Sequence, residues 1–339
     1  MSLFVLQVDT IAMETPPVYN EDYLWSVSSS SWPSATLDGE GVLTFLLVAL
    51  CLVWVLGVSG NGLVLWIAGR EVKKRVSLIW VLNLAVADFS FTALLPFTIA
   101  NQALGYHWPF GPTLCKLLSF TSQLNMFVSV FTLSVIAVDR CVSVTLPVWS
   151  QNHRTVKLAT VVCAAVWILA SVPSVPFLVL RQTVVDEEEG KTYCFYREDG
   201  DRLGQLVTAR FVLAFLLPLA TIAACYSIIS VQVGRRWRRR SGRLPGRVVY
   251  LIVAAFFVCW LPFHLLYLLH VWAGTALPTA LSLATGLTYA NSCINPLLYV
   301  VVGRGPWARL ITRLRTTLHS LHANTDSSGP KTETPDTRA

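Results

Sequence analysis

Charge is scarce in this 339-residue chain. Asp, Glu, Lys and Arg together make up 13% of it, whereas hydrophobic residues make up 54%. That balance excludes disordered, collagen-like and small disulfide-framework classes. No charged residue occurs in the 55 positions from Val248 to Val302, and charge-free runs also cover Val42 to Gly69, Leu117 to Val138, Leu158 to Leu180 and Phe211 to Val233. Each can cross a bilayer, which takes about 20 apolar residues. The 55-residue run is too long for one crossing and breaks at Ala273, Gly274 and Pro278, while Ser77 to Ala103 is interrupted only by Asp88. The expectation is an all-α membrane protein: a seven-transmembrane helix bundle over residues 42–302.

Other absences narrow the class further. Lys and Arg are missing from residues 1–41, which hold six acids, and Met1 to Val8 lacks the basic residue and apolar length of a signal peptide. The first span therefore exports an acidic extracellular segment, 1–41. A second acidic stretch, Arg181 to Gly204, carries seven acids. The bases gather elsewhere, at Arg70 to Arg75, Arg154 and Lys157, Arg235 to Arg247 and Arg304 to Arg315, and together make 17 of the 26 Lys and Arg. By the positive-inside rule that face is cytoplasmic, so the net charge of +7 reflects topology and calls for no nucleic acid. No C-x-x-C pair or His cluster suggests zinc. Of eight Cys, only Cys115 and Cys194 face the oxidising side, which pairs them as a disulfide.

Whole functional classes fall away in the same manner. No nucleophile, base and orienting acid share a span face and no phosphate-binding loop is present, so the chain is not an enzyme. Spans six and seven contain no Lys for a retinal Schiff base. Internal repeats and the intramembrane charges of a transporter are also missing.

What polarity the spans retain is costly there and marks candidate sites. Asp88, Asn125, Ser129, Asn291, Ser292 and Asn295 either satisfy one another by interhelical hydrogen bonds or surround a small cation with oxygens. Asp139 and Arg140 at the inner end of span three form either a plain ion pair or a switch, in which helix separation frees Arg140 to meet Tyr226 and Tyr299. Prolines at Pro218, Pro262 and Pro296 interrupt three spans and provide hinges.

Seven motifs in order carry a resemblance. Gly60-Asn61, Leu84 to Asp88, Asp139-Arg140-Cys141, Trp167, Pro218 with Tyr226, Cys259-Trp260-Leu261-Pro262 and Asn295-Pro296 followed by Tyr299 look like the rhodopsin-like G-protein-coupled receptors over roughly residues 42–322. The segments His107 to Gly111, Asn125 to Phe131 and Pro147 to Arg154 resemble the chemoattractant branch, which includes formyl-peptide, chemerin, anaphylatoxin and prostaglandin D receptors. The resemblance implies a sodium site at Asp88, Asn125, Ser129, Asn291 and Asn295. It implies a transmission core of Phe256 and Trp260 with Pro218 and Val130, hinged at Pro262. It also implies G-protein contacts at Arg140 and Val148, coupling to an inhibitory-class heterotrimeric G protein, and a location in the plasma membrane.

Ligand chemistry is read from the outer halves of the spans. Arg210, two turns outward of Pro218, has no intrahelical acid to pair with, and a guanidinium suits bidentate capture of a carboxylate. Related receptors place a basic residue there, so Arg210 is the expected anion anchor, with Gln123, Arg181, His264, Tyr267 and Tyr289 around it and Tyr193 and Tyr196 nearby. Gln123 stands where formyl-peptide receptors carry an acid, and Leu206 replaces their second base. The acidic exterior would attract a basic peptide whose acidic terminus reaches Arg210. An acidic lipid mediator is the alternative ligand, and a non-signalling scavenger the alternative role.

The cytoplasmic end completes the reading. Trp307, Leu310, Ile311, Leu314, Leu318 and Leu321 recur at helical spacing among Arg309, Arg313 and Arg315, which predicts an amphipathic interfacial helix on membrane lipid over 303–322. The tail, 323–339, offers Thr332, Thr334 and Thr337 at a spacing that resembles an arrestin-recruiting phosphorylation pattern.

Overall fold

The computed structural model describes residues 40–71, 76–196, 201–237, 247–274 and 277–302. Span one is α1 (Glu40–Glu71), and span two is α2 (Val76–Thr92) continued by α3 (Leu95–Ala103). Span three is α4 (Gly111–Thr145), and the short α5 (Pro147–His153) leads into span four, α6 (Val156–Leu180). Span five comprises α7 (Asp201–Phe211), a π turn (Val212–Leu216) and α8 (Leu217–Trp237). Spans six and seven are α9 (Arg247–Ala273) and α10 (Pro278–Val302). Six of these seven are long and apolar enough to cross a membrane by length and composition. The seventh has 25 residues and no charge, but Thr285, Thr288, Asn291, Ser292 and Asn295 dilute its hydropathy. It packs against spans one, two and six and closes the ring.

Polarity is distributed as lipid requires. Large apolar side chains such as Phe45, Leu52, Val161, Ile168, Val172 and Val258 lie more than half exposed, while Asn61, Asn83, Asp88, Asn125 and Asn295 are buried inside. With hydrocarbon outside there is no hydrophobic drive between helices, so close packing and interhelical hydrogen bonds hold the bundle. Trp167 Nε1 donates to Asn83 Oδ1 at 2.9 Å and Asn83 Nδ2 donates to Thr132 Oγ1 at 2.6 Å, tying spans four, two and three. Asn61 Nδ2 donates to the Ser292 carbonyl at 2.8 Å, and a Cβ at Gly60 would stand 2.9 Å from Pro296 Cβ. Only glycine lets spans one and seven approach so closely.

The π turn has a cause in the sequence. Pro218 has no N–H for the Ala214 carbonyl and its ring would collide with it, so the helix widens over the preceding five residues. Two prolines beyond the expected three, Pro173 and Pro176, also lie inside a spanning helix, span four.

The acidic segment expected as a loop contains a β-hairpin. β1 (Arg181–Asp186) pairs antiparallel with β2 (Lys191–Tyr196), Arg181 opposite Tyr196. The β-branched and aromatic residues of Gln-Thr-Val-Val and Thr-Tyr-Cys-Phe-Tyr on either side of a turn at Gly190, φ +63°, account for it. The disulfide between Cys115 and Cys194 fastens β2 to the start of span three, as expected. The Trp108 N–H donates to the Thr192 carbonyl, and the Thr192 N–H donates to His107 Nδ1. The segment from His107 to Gly111 thus holds the hairpin over one end of the bundle.

Several sequence expectations lie outside the described residues. They are the segment before Glu40, most of the arginine run, the amphipathic helix over 303–322, the side chain of Tyr299 and the phosphorylation positions Thr332, Thr334 and Thr337.

Candidate functional site

Beneath the hairpin a cavity of about 390 Å³ opens between spans two, three, five, six and seven. Arg210 projects into it from span five, with only 3% of its surface exposed. Three aromatic rings surround the guanidinium: its Cζ lies 4.9 Å from the centroid of Phe263, 5.0 Å from Tyr267 and 5.4 Å from Phe177. Each ring face is attractive to a cation, and together they hold it without a counterion. Nε and Nη2 of Arg210 have no hydrogen-bond partner among the described residues. Among the described residues, no Asp or Glu lines the cavity.

Of the residues expected around Arg210, Gln123, Arg181, Tyr267 and Tyr289 line the same space. Arg181 begins β1 and places its guanidinium 4.5 Å over the Tyr196 ring while Nε donates to Cys194 Sγ at 3.1 Å. The Tyr196 hydroxyl hydrogen-bonds Ser119 on span three, which fixes the ring under Arg181. Tyr193 takes no part: its hydroxyl donates to Glu189 Oε2 at 2.7 Å on the exposed turn. His264 stands behind the cavity wall, 1% exposed, packed between the rings of Phe211, Phe215 and Trp260. Phe177 and Phe263 are the residues that sequence reasoning missed. An aromatic residue on an apolar span carries no signal of its own until the fold stacks it on a cation.

Deeper in the bundle the polar residues converge on Asp88, which is fully buried. Asn295 Nδ2 donates to Asp88 Oδ2 at 2.9 Å, and Asn125 Nδ2 donates to Ser292 Oγ at 3.1 Å. With its amide turned over, Asn125 instead donates to Asp88 Oδ1 at 3.3 Å and accepts from Ser292. Ser129 Oγ donates to Asn125 Oδ1 at 3.5 Å. Asn291 is buried one residue before Ser292 but makes no bond to the carboxylate. One carboxylate with amide and hydroxyl oxygens is a donor set for a hard cation, and the two amides satisfy the carboxylate without one.

Between the two pockets, Trp260 lines the cavity floor and stacks on Phe256, ring centroids 5.8 Å apart, and both pack in one buried cluster with Val130. Pro262 lies one half-turn further along span six. At the opposite end of the bundle the ion pairing differs from expectation. Asp139 pairs with Arg154, receiving bonds from Nε at 2.7 Å and Nη2 at 2.9 Å. Arg140 is exposed and forms no ion pair among the described residues. Adjacent residues on a helix point about 100° apart, so the two carboxylate oxygens turn to the flat fork that α5 and the start of span four deliver. Val148 on α5 is 72% exposed at this same end.

Comparison with known proteins agrees with this arrangement. Residues 60–299 match the family described as seven transmembrane receptor (rhodopsin family). The chain is 44% identical over 274 residues to the C3a anaphylatoxin chemotactic receptor of Danio rerio, covering 79% of this chain and 75% of that one. It is 40% identical over 309 residues to chemerin-like receptor 1 of Sus scrofa, covering 84% of each. With N-formyl peptide receptor 2 of Homo sapiens it shares 43% identity over 320 residues, 87% of this chain and 90% of the relative. An aromatic cavity capped by a disulfide-tethered hairpin, a polar centre on Asp88 and an exposed Arg140 at the far end are the parts of a receptor and not of an enzyme, and the chain belongs to the chemoattractant branch of the rhodopsin family of G-protein-coupled receptors.

Proposed function

We propose that this receptor binds an extracellular chemotactic peptide through an acidic terminus and signals through an inhibitory-class heterotrimeric G protein at the plasma membrane. The observation that carries the reading is Arg210, 3% exposed in a cavity that no acid among the described residues lines. A buried cation without a carboxylate partner is a strong attractor for one that arrives with a ligand. The hairpin turn supplies Glu187, Glu188 and Glu189, all exposed, as the acidic surface that draws the peptide's basic body. The hairpin end faces outward and the Arg140 end inward, where Arg140 and Val148 meet the G protein. Arrestin follows on phosphorylation of Thr332, Thr334 and Thr337, and membrane lipid receives the helix over 303–322.

Signalling proceeds by population shift. A carboxylate on Arg210 engages Phe263 and Tyr267 of span six through the guanidinium they hold, and so biases that span's pose about Pro262. Trp260 and Phe256 carry the bias past Asp88, where a sodium ion held by Asp88, Asn125, Ser129, Asn291 and Asn295 favours the resting arrangement. At the far end, Tyr226 and Tyr299 then close around Arg140. Arg140, Tyr226 and Asn295 are all present, which supports a signalling receptor over a scavenger. An acidic lipid mediator is the second reading, favoured by the ring of Phe177, Phe263 and Tyr267.

The test is inhibition of cyclic AMP production in cells expressing the receptor, using acid-terminated peptides, their amidated counterparts and acidic lipids. An acid-terminated peptide active in the wild type, inactive when amidated and silent at Arg210→Ala supports the proposal. An amidated peptide of equal potency refutes it, and a lipid that needs Arg210 but ignores neutralised Glu187, Glu188 and Glu189 moves the receptor to the second reading.

A further inference from the structure

Arg210 and Arg181 line one cavity, and neither belongs to an ion pair among the described residues. Arg210 keeps two guanidinium nitrogens unpartnered although it is 97% buried, and the indole Nε1 of Trp260, which also lines the cavity, is unpartnered too. Leaving a buried charge uncompensated costs several kcal/mol. The ring faces of the cage relieve part of this, and Nε and Nη2 of Arg210 find no acceptor among the described residues.

We propose that a halide, chloride in extracellular fluid, occupies the Arg210 end of this cavity when no ligand is bound and is displaced by the ligand's acidic group. The inference rests on the outward orientation of the hairpin end proposed above. Three features select the anion. Nε and Nη2 of Arg210 and Nε1 of Trp260 are N–H donors, which attract an anion and repel a cation, whereas the unpartnered acceptors that line the cavity, Gln102 Oε1 and Gln123 Oε1, belong to spans two and three. A single negative charge balances the caged guanidinium. The walls at Phe263 and Tyr267 present mostly ring carbon, and stripping water from an ion costs energy in proportion to the square of its charge, so a weakly hydrated monovalent ion enters more readily than phosphate or sulfate. The anion acts as a competitor: at a chloride concentration ten times its own Kd, an acidic ligand binds about elevenfold more weakly than in chloride-free medium.

The experiment uses the halide itself as probe on the purified full-length receptor. Thermal stability is followed as sodium chloride or sodium bromide replaces sodium isethionate, which carries no carboxylate, at constant sodium and ionic strength, and crystals grown in bromide are examined for anomalous scattering. The expected result is a Tm that rises with halide in the wild type, a flat response in Arg210→Gln, and a bromide peak in contact with the Arg210 guanidinium. A wild-type Tm indifferent to the anion with no bromide peak at Arg210 overturns the proposal, as does a halide response that survives in Arg210→Gln. If Arg210→Gln fails to fold, the bromide position in the wild type decides alone. Loss of ligand response at Arg210→Ala without any halide effect would leave the proposed function standing and remove only the resident anion.

Discussion

Gly57 tests whether helix contact, and not side-chain chemistry, sets the architecture around Asp88. A Cβ at this position would lie 2.5 Å from Thr92 Cγ2 and 3.0 Å from Thr92 Cβ. Thr92 is fully buried, and its hydroxyl donates to the Asp88 carbonyl at 2.8 Å. Gly57→Ala therefore forces spans one and two apart beside the Asp88 pocket. Such overpacking costs about 1 to 3 kcal/mol, against which alanine's helix preference returns about 1 kcal/mol. Thr92→Ser removes the methyl that meets the new Cβ and keeps the hydroxyl. In that background the helix preference remains without the 2.5 Å contact, so Gly57→Ala should be neutral to stabilising by about 1 kcal/mol, which gives a coupling of about 1 to 3 kcal/mol between the two positions. The assay is thermal unfolding of the four purified receptors in one detergent, where about 1 kcal/mol corresponds to a few degrees in Tm. Additive effects of the two substitutions would refute the steric argument.

Two further predictions concern the ends of the bundle. Arg154→Ala removes both bonds to Asp139, leaving that carboxylate, 11% exposed, without its cation; the pair is partly exposed, so the expected loss is about 1 kcal/mol, with altered basal G-protein activation as Asp139 and α5 lose their tie. An unchanged Tm and unchanged basal nucleotide exchange would show that the pair holds nothing in place. At the hairpin turn, the Tyr193 hydroxyl and the Lys191 ammonium donate to Glu189 and lower its pKa from 4.5, while burial and the Glu189 hydrogen bond push the Tyr193 phenol up to about 12. A depressed carboxylate stabilises the turn above its unfolded pKa and loses that contribution as pH falls through the folded value. Carbon-13 titration of labelled Glu should place the Glu189 midpoint below 4.5 and move it upward in Tyr193→Phe; an identical midpoint in both proteins would contradict the hydrogen bond.

The sequence alone determined whatever depends on local composition and spacing. Charge-free runs located the spans because a bilayer core admits no unpaired charge cheaply, and the break at Ala273, Gly274 and Pro278 separated α9 from α10 as read. Cys115 and Cys194 pair because the alternation of faces left no other candidates on their side. Arg210 stood out because a lone cation in an apolar helix is visible in one dimension. The tertiary structure decided the relations between residues far apart in the chain. Asp139 chose Arg154 over its neighbour Arg140, since the direction of a side chain depends on helix phase and on where α5 carries the partner. Phe177 and Phe263 became a cation cage only when spans four and six were brought against span five. The hairpin was hidden by the acids of its segment, beside which the β-branched and aromatic residues on either side of Gly190 are the strand signal. Periodicity and charge are written along the chain, whereas which polar group meets which is a property of packing, and packing is fixed only when all seven helices are in place.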